Sequence, residues 1–84
     1  MIRINYFASV REAANKSQEQ LELPQAVNSV AGLIEFLVQR DDLGRRALAG
    51  DREILVAVNQ TVVNRDHRLA GNEEIAFFPP MTGG

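Results

Sequence analysis

The residues best suited to chemistry lie at the C-terminal end, in Pro79-Pro80-Met81-Thr82-Gly83-Gly84. Two successive prolines fix φ near −65° and favour a stiff, extended backbone, whereas two glycines carry no Cβ and can pass a channel too narrow for any other residue. A rigid base with a slim tip makes a probe whose reactive group is the terminal carboxylate of Gly84. Extended, Pro79 to Gly84 spans at most about 20 Å, enough to carry that carboxylate into another protein's active site. The bland alternative is a frayed terminus, since chain ends are commonly disordered and a terminal glycine pair arises by chance about once in 200 chains.

Little else offers chemistry. With no cysteine there is no disulfide framework, thiolate metal site or cysteine nucleophile, and the single histidine, His67, cannot build a zinc cluster alone. His67 sits in Asp66-His67-Arg68-Leu69, where a hydrogen-bonding or surface role outweighs a catalytic one, and the sole lysine, Lys16, reads as solvated. No metal site is expected. A net charge of −2 and a pI near 5.3 provide no basic footprint for nucleic acid or for an anionic membrane. The longest uninterrupted apolar run, Ile54 to Val58, falls far short of the roughly 20 residues of a membrane helix, and Met1 to Asn5 alternates where a signal peptide would be continuously apolar. The expectation is a cytoplasmic protein.

The elements that must position the tail follow from periodicity. Eighty-four residues with 45% hydrophobic and 24% charged suit a single globular domain, and at that size only about 60% of the unfolded surface is buried, which leaves no room for an enclosed cofactor cavity. From Met1 to Ala8, Ile2, Ile4 and Tyr6 alternate with Arg3, Asn5 and Phe7, the period of a half-buried strand. Ser9-Val10-Arg11-Glu12 has the form of a capping box opening a short helix through about Ala14. Glu19 to Leu23 alternates again until Pro24 ends it. Ser29 is a good N-cap for a helix with an apolar stripe of Val30, Leu33, Ile34, Leu37 and Val38, and Asp41-Asp42-Leu43-Gly44 closes that helix. Arg45 to Ala49 allows one loose turn, and Gly50-Asp51 turns the chain. Ile54 to Val58 reads as a strand paired on both edges, Asn59-Gln60 as its hairpin turn into Thr61-Val62-Val63, and Ile75 to Phe78, after the Gly71-Asn72 turn, as the last strand.

One main helix between two hairpin-like groups packs most simply across one face of a mixed sheet of about five strands. That is an α+β, β-grasp arrangement like ubiquitin's, with the first and last strands central. It forms one domain over residues 1–84, with a flexible tail over 79–84. If Ile2, Ile4, Tyr6, Ile75 and Phe77 face the helix, Phe7 and Phe78 point to the opposite face, side by side and joined by Val62 or Val63. A lone exposed phenylalanine is ordinary; a pair beside the tail root reads as an interface.

Tyr6-Phe7-Ala8, Val10-Arg11-Glu12, Val58-Asn59-Gln60, Gly71-Asn72-Glu73-Glu74 and above all Phe77-Phe78-Pro79-Pro80-Met81-Thr82-Gly83-Gly84 resemble the small subunits of molybdopterin synthase, the ubiquitin-like sulfur carriers of molybdenum cofactor biosynthesis. The resemblance covers nearly the whole chain; members often carry proline where Arg68 stands and aspartate where Asn72 stands. It implies that an E1-like activating enzyme, using ATP and magnesium, adenylates the Gly84 carboxylate, and that sulfur then replaces AMP to give a thiocarboxylate. The tail, Pro79 to Gly84, then enters the large synthase subunit and donates sulfur to a cyclic pterin precursor within a heterotetramer. It further implies docking through the sheet face, with Phe7, Val62 and Phe78 at the matching positions and Arg11 at the rim. On this reading the chain binds no cofactor and supplies no catalytic side chain, which suits its lack of cysteine. The competing readings are a carrier for another product, such as the thiamine thiazole, against which Phe77-Phe78-Pro79-Pro80 argues, and a β-grasp interaction module or protein modifier that carries no sulfur.

Overall fold

The computed structural model describes residues 1–50 and 53–80. Its elements are β1 (Ile2–Tyr6), α1 (Ala8–Ala14), β2 (Gln18–Leu21), α2 (Val30–Arg40), α3 (Asp42–Leu48), β3 (Leu55–Val58), β4 (Thr61–Val63) and β5 (Glu74–Phe78). The strands form one sheet in the order β2-β1-β5-β3-β4. The first and last strands pair in parallel, Tyr6 opposite Phe77, while β1–β2, β5–β3 and β3–β4 are antiparallel. This is the expected β-grasp arrangement. No described helix is long and apolar enough to cross a membrane.

Strand alternation and one helical stripe together make the core. Ile2, Ile4 and Tyr6 from β1, Ile75 and Phe77 from β5, and Val56 and Val58 from β3 bury one sheet face against Val10, Val30, Leu33, Ile34, Leu37, Ala47 and Leu48 of the helices. The Tyr6 and Phe77 rings stack at 6.0 Å and 26° across the central parallel pair. At the head of α2, the Gly32 amide donates to Ser29 Oγ at 3.1 Å, the expected N-cap. Asn59 and Gln60 both take positive φ, as the expected two-residue hairpin turn requires.

Three expectations are corrected. The Ser9 capping box does not form, because the chain enters α1 directly from the strand: Ala8 turns it at φ 51°, the Phe7 carbonyl accepts from both the Val10 and Arg11 amides at 3.1 and 3.2 Å, and Ser9 is already inside the exposed first turn. The second strand is Gln18–Leu21, not Glu19 to Leu23, because its antiparallel partner starts at Ile2, opposite Leu21, and there is no ladder left for Leu23. The parity nonetheless holds, since Leu21 and Leu23 both pack against the core while Gln20 and Glu22 are exposed.

The third concerns Asp41-Asp42-Leu43-Gly44, which begins a second helix, α3, and extends the expected loose turn to seven residues. Asp41 ends α2 and caps α3, its Oδ1 accepting from the Gly44 amide at 2.7 Å. Gly44 is needed there for space, since an added Cβ would run into the Leu37 carbonyl oxygen. The sheet is therefore covered by three helices, with α3 bridging α1 and α2. Of the Gly50-Asp51 turn, Gly50 has φ 93°, and Asp51 lies outside the described residues.

Candidate functional site

The uncovered sheet face is built by the same alternation that fills the core. Residues directly opposite across an antiparallel pair share a face, so the registers Leu55↔Phe78, Ala57↔Ala76 and Ala57↔Val62 place these side chains together, away from the helices. Phe7 extends the row. It continues β1 in an extended conformation, and its N–H donates to the Phe77 carbonyl at 3.0 Å, so it lies beside Phe78 in the parallel register.

Phe7 is 50% exposed and Val62 63%, which makes them, with Met1, the exposed large hydrophobics among the described residues. Phe78 and Leu55 are partly exposed. The structure thus gathers Phe7, Phe78 and Val62 on one face, whereas Val63 turns inward against the core. Leu55 and Ala76, partly exposed, complete the patch around the buried Ala57, and none of the three was singled out from sequence. In Ile54 to Val58 every residue is apolar, so parity is silent there, and only the register with β5 shows which way each points.

Phe7 is held unusually firmly for an exposed aromatic. Its N–H and C=O are both engaged, the carbonyl by two amides of α1, so its side chain is presented on a fixed backbone and little ordering entropy remains to be lost on docking. Arg11 lies one helical turn on, exposed at the end of α1.

β5 delivers the chain into Pro79 and Pro80, both partly exposed, at the pole where Phe7 and Phe78 lie. Met81, Thr82, Gly83 and Gly84 lie outside the described residues. Towards the other pole, Arg3 Nη1 and Asn5 Nδ2 meet Glu74 Oε2 at 3.4 and 3.2 Å, so the open face runs from a polar end to an apolar end beside the tail root.

Behind the patch, a polar clamp ties β1, β2 and α2 together. The Tyr6 hydroxyl donates to Glu19 Oε2 at 2.7 Å, and the Arg40 guanidinium grips the same carboxylate at 2.9 and 3.0 Å. Lys16 Nζ approaches it at 3.6 Å. Burial, and then the Glu19 carboxylate, pushes the Tyr6 phenol far up, so it stays a donor. For Glu19 burial acts upward, but the Arg40 and Tyr6 hydrogen bonds outweigh it and hold the carboxyl below its usual range. The Gly44 amide, and behind it Arg40, likewise hold Asp41 low. These groups brace the fold and are not aimed at the open face.

His67 uses its backbone structurally, its carbonyl accepting from the Val30 amide at 3.0 Å where α2 begins. Among the described residues no cluster of three His, Cys, Asp or Glu side chains is placed to hold a metal. An open recess of about 370 Å³ lies at the pole away from the tail, beside Met1, Leu23, Val27 and Leu69. Glu22 is the charged residue among those lining it.

A family model described as the ThiS family matches residues 4–84. The molybdopterin synthase sulfur carrier subunit of Escherichia coli (strain K12) is 39% identical over 84 residues, covering the whole of both chains. That of Haemophilus influenzae is 37% identical, again over the whole of both. Among solved structures, H. volcanii small archaeal modifier protein 1 superposes with a TM-score of 0.77 over 95% of this chain and 97% of that one, at 21% identity, which speaks to the fold alone.

Proposed function

The chain belongs to the ThiS family, and from that premise we propose that it is the sulfur carrier subunit of a molybdopterin synthase, working through the Gly84 carboxylate. The observation that carries the reading is full-length identity of 39% and 37% to two proteins named as that subunit. The tail sequence and the position of its root beside an exposed aromatic pair support it.

A carboxylate is a poor electrophile until one oxygen becomes a leaving group. An E1-like activating enzyme with magnesium and ATP joins the Gly84 carboxylate to AMP and releases pyrophosphate. A sulfur nucleophile then attacks the carbonyl carbon and AMP departs, leaving a thiocarboxylate. The thiocarboxylate sulfur next bonds to a carbon of a cyclic pterin precursor in the large synthase subunit, and water cleaves the acyl–sulfur bond, so the sulfur stays on the pterin and the tail returns to a carboxylate. The reactive atoms all belong to the backbone terminus, so the acid–base groups, oxyanion donors and metal reside in the partners. Pro79 and Pro80 stiffen the base of the tail, and Gly83 and Gly84 let its tip through a narrow channel.

Docking uses the open face: Phe7, Phe78 and Val62, with Leu55 between them and Arg11 at the rim. Such a patch of aromatics ringed by polar residues suits a hot spot. The large subunit and the activating enzyme both need the tail root, so they take turns on one face.

Intact-mass measurement after incubation with ATP, a sulfur source and the activating enzyme tests the chemistry. The protein gains one sulfur in place of one oxygen, and the chain lacking Gly84 gains none while folding normally. An unchanged mass, or normal sulfur transfer by the truncated chain in a reconstituted synthase, contradicts the proposal.

A further inference from the structure

Two stretches singled out in the sequence, Val58-Asn59-Gln60 and Gly71-Asn72-Glu73-Glu74, have no part in the proposed docking, yet the fold brings them together at the head of β5. Asn59 and Glu74 form a reciprocal pair. The Glu74 N–H donates to Asn59 Oδ1 at 3.0 Å, and the Asn59 N–H donates to the Glu74 carbonyl at 2.8 Å. On the other side Glu74 Oε2 accepts from Arg3 Nη1 and Asn5 Nδ2 of β1. One residue earlier, the Glu73 carboxylate closes the preceding turn by accepting from three successive amides, Ala70 at 2.6 Å, Gly71 at 2.9 Å and Asn72 at 3.0 Å. That turn starts from an anchored residue, since Leu69 is buried and its N–H donates to the Asn28 carbonyl at 3.0 Å. A shift of β5 by one residue therefore separates Glu74 from Asn59 and forces the closed turn to open and take in one residue more.

Hydrophobic patterning ordinarily fixes the register of a strand, because a one-residue slip turns its buried set outward. In β5 that penalty is weak in one direction. Ile75-Ala76-Phe77-Phe78 is apolar throughout, so a slip that sets Phe78 opposite Tyr6, in the place Phe77 fills, also sets Ala76 in the place of Ile75 and buries no polar side chain. The core loses only part of one side chain. A slip the other way carries Glu74 into the place of Ile75, which is fully buried, and the enclosed charge forbids it. Pro79 opposes the permitted slip at the far end, where it brings no N–H to the last rung. At the head of the strand the opposition comes from Asn59 and Glu73.

We propose that Asn59 and Glu73 are positioning residues for the tail, holding β5 in the register that keeps Phe77 inside, sets Phe78 on the open face and starts the tail at Pro79. The permitted slip exchanges the two phenylalanines between faces and draws the tail root back by about 3.3 Å, the rise of one strand residue. The consequence for sulfur delivery rests on the function proposed above, because it requires that Phe78 docks and that the Gly84 carboxylate reaches a fixed depth. The register itself does not rest on that reading.

The test is NMR of the full carrier in a background where the core cannot tell the two registers apart. Ala76→Ile supplies it, making both alternating sets of β5 an isoleucine followed by a phenylalanine through a change at a partly exposed position outside the core. Asn59→Gly keeps the backbone at φ 49° and removes only the accepting oxygen, and Glu73→Ala releases the turn. Ala76→Ile alone should show one set of signals for β1, β3 and β5, with Val58 opposite Ile75 as in the native register. Adding Asn59→Gly and Glu73→Ala should raise a second folded set to about 10% or more of the molecules, with Val58 opposite position 76 and Tyr6 opposite Phe78. Restoring the acceptors with Asn59→Asp and Glu73→Gln should return a single set. Groups that merely stabilise the fold lower the melting temperature and leave one register, so a single native set in the triple variant overturns the proposal. Should the triple variant fail to fold, Ala76→Ile with Glu73→Ala alone decides by the same signals. No partner enters this measurement, so its failure is distinct from that of the docking reading, which fails if the wild-type carrier shows no affinity for the large subunit.

Discussion

Phe77 and Phe78 are consecutive residues of one strand and carry the same side chain, yet Phe77 is wholly enclosed while Phe78 stands partly open on the other side of the sheet. The contrast is repeated where β1 ends, since Tyr6 is buried against Phe77 and Phe7, one residue on, is half exposed. The covered face is closed by three helices and a polar clamp. The uncovered face keeps its apolar side chains in water, at a cost to the isolated chain that is recovered only when another surface covers them. Burial tells where the fold is stabilised, and the apolar exposure is where we propose that a partner docks.

The sharpest way to break this contrast is truncation on each side of the sheet. Phe77→Ala should cost about 3–5 kcal/mol of stability, much of the total for a domain this small, and urea unfolding should show a collapsed midpoint or no folded baseline. A mild loss would mean that the core does not depend on the face we describe as covered.

Gly44→Ala comes next. The added methyl group has no space against the Leu37 carbonyl, so α3 must shift off α2, with a loss of about 1–3 kcal/mol by thermal melting. Alanine would normally strengthen a helix, so unchanged or raised stability would show that α3 is not packed as tightly as described.

The smallest effect belongs to the clamp. Glu19 in the folded chain titrates below its ordinary value of 4.5, so its contribution is fully present above that pH and is lost as pH falls through the folded value. Melting temperature should therefore drop on acidification below about pH 4.5, and Glu19→Gln should flatten that part of the profile. An identical acid profile in Glu19→Gln would remove Glu19 from the account.

Much of this contrast was legible in the sequence because alternation in β1 and β5 is a period-two signal that survives without any neighbour. The Ile2/Ile4/Tyr6 and Ile75/Phe77 sets point inward as read, and Phe7, Phe78 and Val62 point outward. What was hidden depends on partners distant in sequence. The role of Leu55 needs its register with Phe78, and the Tyr6–Glu19–Arg40 clamp needs three elements brought together. Gly44 reads as a helix stop, although here it permits close approach of two helices. Asp41 reads as the end of one helix, although it also begins another. The Ser9 capping motif lost to the Phe7 carbonyl, which was already in place at the strand end.

The central claim, that one sheet face holds the fold and the other meets the partner, is tested most directly by Phe78→Ala, with melting temperature and affinity for the large synthase subunit measured on the same protein. The account predicts binding weaker by about 2 kcal/mol or more, with a stability loss well below that of Phe77→Ala. A Phe78→Ala protein that is as destabilised as Phe77→Ala but binds with wild-type affinity when folded would contradict it.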